Sequence, residues 1–253
     1  MRVDWNERAR DNAFHYICSE RKDWDPASFF DSGEDDYARL VSPLLVKLNF
    51  TTEGKSMLEV GCGVGRVTRS FARRFGAVTA LDISEEMLGQ ARQLNGDIHN
   101  IVWIHGDGMS LKGVPSESVD LVFSYLVLQH VPNKAVALGY VAEMLRVLRP
   151  AGVYCFQFNG AANPSMNWKG RLIWNLIDRL ADSPQDSWMK GGAKRLAAIL
   201  GLDGLAAGHT WRGAALDPGD IVEAVRRSGG LEPYITGRAT SRTWCYGHKE
   251  GVE

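Results

Sequence analysis

The sequence predicts an α/β fold: a doubly wound, mostly parallel, seven-stranded Rossmann-like sheet, with a helical N-terminal segment and a helical insertion forming a cap. Three observations predict it. Short apolar runs alternate with amphipathic stretches from Ser56 to Asn159, and strand and helix alternating at that pitch give parallel strands with covering helices. The stretch "MLEVGCGVGRVTRSF", residues 57–71, sets Gly61, Gly63 and Gly65 between an apolar run and a helical one. Asp82 and Asp107 stand at the ends of the next two apolar runs.

Residues 1–50 read as helices and loops. Trp5, Ala9, Ala13 and Tyr16 share one helical stripe. "SFFDSGEDD" reads as a turn-rich acidic break, and "DYARLVSPLLVKLNF" as helix interrupted near Pro43. Then "SMLEVG" is a short buried strand and "VGRVTRSFARRFG" a helix that ends at Gly76. "AVTALD" is the second strand. "SEEMLGQARQL" is a helix with Ser84 as N-cap and acids in its first turn. "NIVWIHGD" and "SVDLVFSYLVL" are the third and fourth strands. "KAVALGYVAEMLRVLR" is an amphipathic helix stopped by Pro150 and Gly152, and "GVYCFQFN" is the fifth strand.

After Asn159 the pattern changes. "NPSMNWKGRLIWNLIDRL" and "GGAKRLAAILGLDGLA" read as inserted helices, because the interval is too long for a simple loop. "PGDIVEAVRRSGG" is a further helix. "LEPYITGRATSRTWCYGHKE" gives two strands and a turn, paired antiparallel, the last at or near the sheet edge. The expected division is 1–50 helical cap segment, 51–160 α/β core, 161–210 insertion and 211–253 completion of the core.

Composition narrows the function. The 253 residues are 45% apolar and 23% charged, ordinary for a globular chain, with a net charge of −1. No broad basic field points to nucleic acid or an anionic membrane. "MRVDWNERARDNAFHYI" has no apolar core, so it does not read as a signal peptide. Cys18, Cys62, Cys155 and Cys245 are far apart, which argues against a zinc site or a disulfide scaffold and fits reduced thiols in a cytoplasm. Of eight tryptophans, only Trp103 falls within residues 51–160. The others lie in the flanks expected to roof the sheet.

The glycines follow a strand and precede a helix. Such a turn exposes backbone N–H groups at a positive helix terminus, and small residues let a ligand lie against them. A dinucleotide fingerprint needs G-x-G-x-x-G, but position 66 is Arg. Glu59, two residues before Gly61, suits a ligand with a cationic end such as an amino acid. Asp82, at the end of the second strand, can accept both hydroxyls of a ribose. Asp107 can accept from an adenine amino group. Together they describe a nucleoside joined to an amino acid, with no phosphate required. Each has a plainer reading too: Glu59 as a helix cap or the partner of an arginine, Asp82 as a cap, Asp107 as an Asx turn.

At this point the chain resembles the class I S-adenosylmethionine-dependent methyltransferases. "LEVGCGVGR" resembles that family's first motif, "LDISEEML" the second, "HGDGMSL" the third, "VDLVFSYLVLQHV" the fourth, and "EMLRVLRPAGVY" the helix–turn–strand that follows. The resemblance spans 56–160, with 216–253 as the tail of the sheet. It implies that Gly61, Gly63 and Gly65 lie against the methionine moiety of S-adenosylmethionine, with Asp82 on ribose. It further implies Asp107 and Gly108 at adenine, flanked by Ile83 and Met87.

His130, in "LQHVP", is a candidate general base or a structural histidine. Tyr16, Tyr125, Gln129, Trp211 and Arg212 are candidate acceptor contacts, Arg212 for a carboxylate or as a plain ion-pair partner. His209 reads as a packing residue and Cys62 as a small residue in a tight turn. No N/D-P-P-Y/F motif, Pro-Cys dipeptide or metal-ligand cluster appears. The expected activity is methyl transfer to a small molecule, without metal. A protein or RNA methyltransferase docking through "WKGR" and "MKGGAKR", and a non-catalytic binder of the cofactor, stand as alternatives.

Overall fold

The computed structural model describes residues 1–131, 133–160, 213–237, 240 and 242–251. The expected insertion, 161–210, with Trp168, Trp174, Trp188 and His209, lies outside the described residues, as do Trp211 and Arg212.

Seven strands form one sheet in the order β3-β2-β1-β4-β5-β7-β6. They are β1 (Ser56–Val60), β2 (Ala77–Asp82), β3 (Ile101–His105), β4 (Val119–Ser124), β5 (Leu148–Phe158), β6 (Tyr234–Thr236) and β7 (Thr243–His248). The first five are parallel. β7 runs antiparallel against both β5 and β6, so β6 forms the edge and the last strand stands one place in. Strand order reverses between β1 and β4. A crevice opens beyond the carboxyl ends of the strands at such a point.

The helices are α1 (Arg2–Ile17), α2 (Pro26–Asp36), α3 (Ser42–Lys47), α4 (Thr68–Ala72), α5 (Glu85–Leu94), α6 (Lys134–Val147) and α7 (Pro218–Arg227). Their starts follow from capping. Ser84 Oγ accepts from Met87 N at 3.1 Å, Asn133 Oδ1 from Ala135 N at 2.7 Å, and Asp217 Oδ1 from Gly219 N at 2.7 Å. Alternate residues of the strands feed opposite faces. Leu58 and Val60 pack with Val141, Met144 and Leu145 of α6 and with Ile221 and Val225 of α7. Met57 and Phe123 pack with Phe71 of α4 and with Leu45 of α3. A third cluster joins Ala9, Ala13 and Phe29 of α1 and α2 to Val64 and Met87.

Five expectations need correction. "SFFDSGEDD" is helical: Asp25 caps α2 through Ser28 N at 3.0 Å and Pro26 opens it. The helix near Pro43 is not simply broken; a π-helical turn, Tyr37–Val41, leads into α3, which starts with Pro43 in its first turn. α4 is only five residues long, the segment before it being turns. β4 ends at Ser124, because Leu126 takes a left-handed φ of 60°, and β5 begins at Leu148, ahead of Pro150 and Gly152.

Candidate active site

The loop after β1 is built by three left-handed glycines, Gly61, Gly63 and Gly65, with φ of 80°, 55° and 87°. These angles turn the N–H groups inward. Gly61 N donates to Leu81 O at 2.7 Å, Gly63 N to Asp82 Oδ2 at 2.8 Å and Gly65 N to Cys62 O at 2.9 Å. The expectation that they present free donors is therefore corrected: the loop spends them on β2 and on itself. The missing side chains also serve the protein's own packing. A Cβ on Gly61 would lie 2.1 Å from Val127 Cγ2, and one on Gly63 would lie 2.6 Å from Ile17 Cδ1 of α1.

Glu59 is buried near the carboxyl end of β1. Its Oε2 accepts from Thr68 Oγ1 at 2.5 Å, and among the described residues no further hydrogen bond to it occurs. Burial pushes its pKa up to about 8; the Thr68 hydrogen bond and the Arg66 charge pull it down, and Asp82 adds to the rise. A buried carboxylate with one oxygen open fits the ammonium of an amino-acid ligand, which would supply the missing positive charge.

Asp82 is buried as well. Besides Gly63 N, it accepts from Ser84 N at 2.8 Å through Oδ1. Burial raises its pKa, opposed by these backbone hydrogen bonds. A carboxylate has about four acceptor positions, so two bonds leave room for ligand hydroxyls. Asp107 is exposed and forms a turn: Oδ1 accepts from Met109 N at 2.8 Å and Ser110 N at 2.7 Å, and Oδ2 from Ser110 Oγ at 2.8 Å. Burial acts upward on its pKa, but those hydrogen bonds outweigh it and hold the carboxyl low. Ile83 and Gly108 are neighbours, a Cβ on Gly108 falling 2.4 Å from Ile83 Cδ1. Met87 is buried against α1 and α2. Cys62 is inert, burial pushing its thiol far above the ordinary range.

Beyond β4, His130 closes a short 3₁₀ turn, Leu128–His130. Its ring stands edge-on to Trp5 with centroids 5.4 Å apart, and its Nε2 lies 3.3 Å from Gln129 Nε2. Gln129 Oε1 accepts from Gln157 Nε2 at 3.4 Å. Arg8 lies over Trp5 at 4.8 Å and over Tyr16 at 5.7 Å, and the Tyr16 hydroxyl donates to Asp11 Oδ2 at 3.0 Å. Tyr125 stacks on Trp244, centroids 5.5 Å apart.

Three residues escaped the sequence reading. Thr68, nine residues after Glu59, holds its carboxylate. Arg66 reaches across to α2, donating to Ser32 O at 3.0 Å and to Asp36 Oδ2 at 2.7 Å. Asp36 sat within what looked like a loop. The one signal was Arg66 itself, a charge directly after three glycines.

Residues 58–156 match the family model described as "Methyltransferase domain". The 2-methyl-6-phytyl-1,4-hydroquinone methyltransferase of Synechocystis is 29% identical over 163 residues, 62% of this chain and 50% of that one. Trans-aconitate 2-methyltransferase of Azoarcus is 29% identical over 234 residues, 88% of this chain and 86% of that one. The chain spans half or less of the length of other curated relatives, 44% for malonyl-[acyl-carrier protein] O-methyltransferase of Serratia marcescens. Among solved structures, magnesium protoporphyrin IX methyltransferase of Synechocystis with bound SAH superposes with a TM-score of 0.60 at 17% identity, covering 98% of both chains, which establishes the fold. Residues 58–156 thus carry a methyltransferase domain, set in a sheet with the fold of methyltransferases solved with S-adenosylmethionine or its demethylated product bound.

Proposed function

We propose that this chain transfers the methyl group of S-adenosylmethionine to a small-molecule acceptor by direct in-line displacement. The observation that carries the reading is Glu59: buried, held by Thr68, and open on one oxygen beside the glycine loop. In this reading Glu59 takes the cofactor's ammonium, and the loop Gly61–Gly65 lies along its methionine portion. Asp82 accepts from the ribose. Asp107 and Gly108 meet the adenine, with Ile83 and Met87 at its faces.

The bound cofactor supplies a methyl group on a sulfonium whose departing thioether is neutral. The protein's task is to align the acceptor, exclude water and, where the nucleophile holds its proton, remove it. Alignment of this kind is worth about 7–11 kcal/mol. His130 is assigned that proton, with Gln129 beside it and Trp5 packed on its ring. Tyr16, Tyr125 and Gln129 are assigned to the acceptor; the candidate contacts Trp211 and Arg212 lie outside the described residues.

The small-molecule class is supported by the net charge of −1. It is also supported by relatives named for a hydroquinone and for trans-aconitate. Residues 1–50 are read as a cap over the core 51–160, with 211–253 completing the core; the expected second cap, 161–210, lies outside the described residues. The cytoplasm is the assigned compartment, on the four free cysteines; among the described residues no helix is long and apolar enough to cross a membrane.

Calorimetry tests the reading. S-adenosylhomocysteine should bind and NAD should not. Binding of NAD alone would defeat it.

A further inference from the structure

The glycine loop is held from α5 as well as from β2, by a side chain that has no part in the reading above. Asn95 directly follows α5 and is buried. Its Nδ2 donates to Val64 O, within the loop, at 3.1 Å, and to Ala91 O, in the last turn of α5, at 2.9 Å. Both partners are acceptors, so the amide nitrogen faces them and both of its hydrogens are used. Gly65 closes on the same group: a Cβ there would fall 2.8 Å from Asn95 Nδ2 and 2.8 Å from Trp103 Cη2.

This orientation leaves Asn95 Oδ1 buried, with no hydrogen bond among the described residues. A buried acceptor without a donor costs stability. Capping of α5 does not explain why it is kept. The Asn95 backbone N–H already donates to Ala91 O at 3.0 Å, and a helix can end there without a carboxamide. The contact that needs the carboxamide is the one to Val64 O.

That contact completes a frame. Gly61 N and Gly63 N tie the first half of the loop to Leu81 O and Asp82 Oδ2. Ser84, which caps the start of α5, donates its N–H to Asp82 Oδ1 at 2.8 Å. Asn95, at the other end of the same helix, fixes Val64. A helix is a spacer of constant rise per residue, so α5 holds the loop at a set distance from Asp82.

We propose that Asn95 is a positioning residue: its carboxamide sets the glycine loop against Asp82, and with it the fit of a cofactor that must touch both. The inference rests on the reading that the loop lies along the amino-acid portion of the cofactor while Asp82 meets its ribose.

Calorimetry with S-adenosylhomocysteine tests it on the wild type, Asn95→Ala, Asn95→Ser and Asn100→Ala, each at a temperature where circular dichroism shows it fully folded. The serine hydroxyl can turn back to Ala91 O but is too short for Val64 O, and Asn95→Ser carries the test should Asn95→Ala fail to fold. Asn100 is the control. Its Nδ2 likewise donates to two carbonyls where a helix ends, Ala72 O at 2.9 Å and Phe75 O at 3.0 Å, with no bond to the loop. The Asn95 variants should bind about three- to tenfold more weakly than the wild type, the worth of one buried hydrogen bond, and Asn100→Ala within about twofold of it. Affinity within that same twofold in a folded Asn95 variant would overturn the proposal. So would an equal loss in Asn100→Ala, which would mark a general loosening of the fold. No binding to the wild type removes the methyltransferase reading and this one with it, while binding that the Asn95 substitutions leave unaltered removes this one alone.

Discussion

Thr68 Oγ1 donates a 2.5 Å hydrogen bond to Glu59 Oε2, joining the first turn of α4 to the end of β1 across the glycine loop. The bond does two things. It fixes the loop between its ends, and it favours the ionised carboxylate that an ammonium requires. Thr68→Val keeps the shape and removes the donor. A hydrogen bond to a charged group is worth about 1.5–3 kcal/mol. Affinity for S-adenosylhomocysteine should therefore fall roughly ten- to a hundredfold by calorimetry, with α/β content unchanged by circular dichroism.

The burial of Glu59 makes a prediction about pH. Its carboxyl titrates at about 8 in the fold, against an ordinary value of 4.5. Between those values the native state holds a proton that the unfolded chain has lost. Stability from this group is complete below the ordinary value and drains away as pH rises through about 8. Asp82 is raised in the same direction. Urea unfolding of the ligand-free protein should show stability falling from pH 5.5 to pH 8.5, and Glu59→Gln should flatten much of that slope. A slope unaltered by Glu59→Gln would separate Glu59 from the effect.

Much of this arrangement was legible from residue spacing. β1, β2, α5 and α6 announce themselves through alternation of apolar runs and through caps such as Ser84 and Asn133. The placing of Glu59, Asp82 and Asp107 at or just beyond the ends of strands was legible as well. The arrangement was illegible where distant parts of the chain decide. α2 looks like a loop because Gly33, Glu34, Asp35 and Asp36 crowd its end. It is a helix because Arg74 pairs with Glu34 and Arg66 with Asp36 from outside. Gly33 is needed there as well, since a Cβ would fall 2.1 Å from the Arg66 carbonyl oxygen. The inward bonding of the glycine N–H groups was equally hidden. It depends on φ, which glycine permits without announcing.

The Asp36–Arg66 pair is buried, with side-chain exposures of 12% and 5%. Removing one partner of such a pair strands the other charge, at a cost of about 3–5 kcal/mol. Asp36→Ala should lower stability by that order in urea unfolding. Arg39, on the other oxygen of Asp36, has its side chain 69% exposed. Arg39→Gln should cost far less, because water screens that contact. Equal losses for the two variants would mean that α2 is held by packing at Gly33 rather than by the ion pair.

His130 carries the sharpest question of mechanism. Its position after β4, beside Gln129 and under Trp5, serves either proton removal or simple support of the loop. A general base contributes about 10²–10⁴-fold. His130→Ala should lower kcat within that range once an acceptor is in hand, and the acidic limb of the pH–rate profile should vanish with it. His130→Gln separates the two roles, since it can fill the space and hydrogen bond without acting as a base near neutral pH. Recovery of kcat in His130→Gln would assign His130 to support of the loop. A rate as low as that of His130→Ala, with unchanged affinity for S-adenosylhomocysteine, would assign it to the proton.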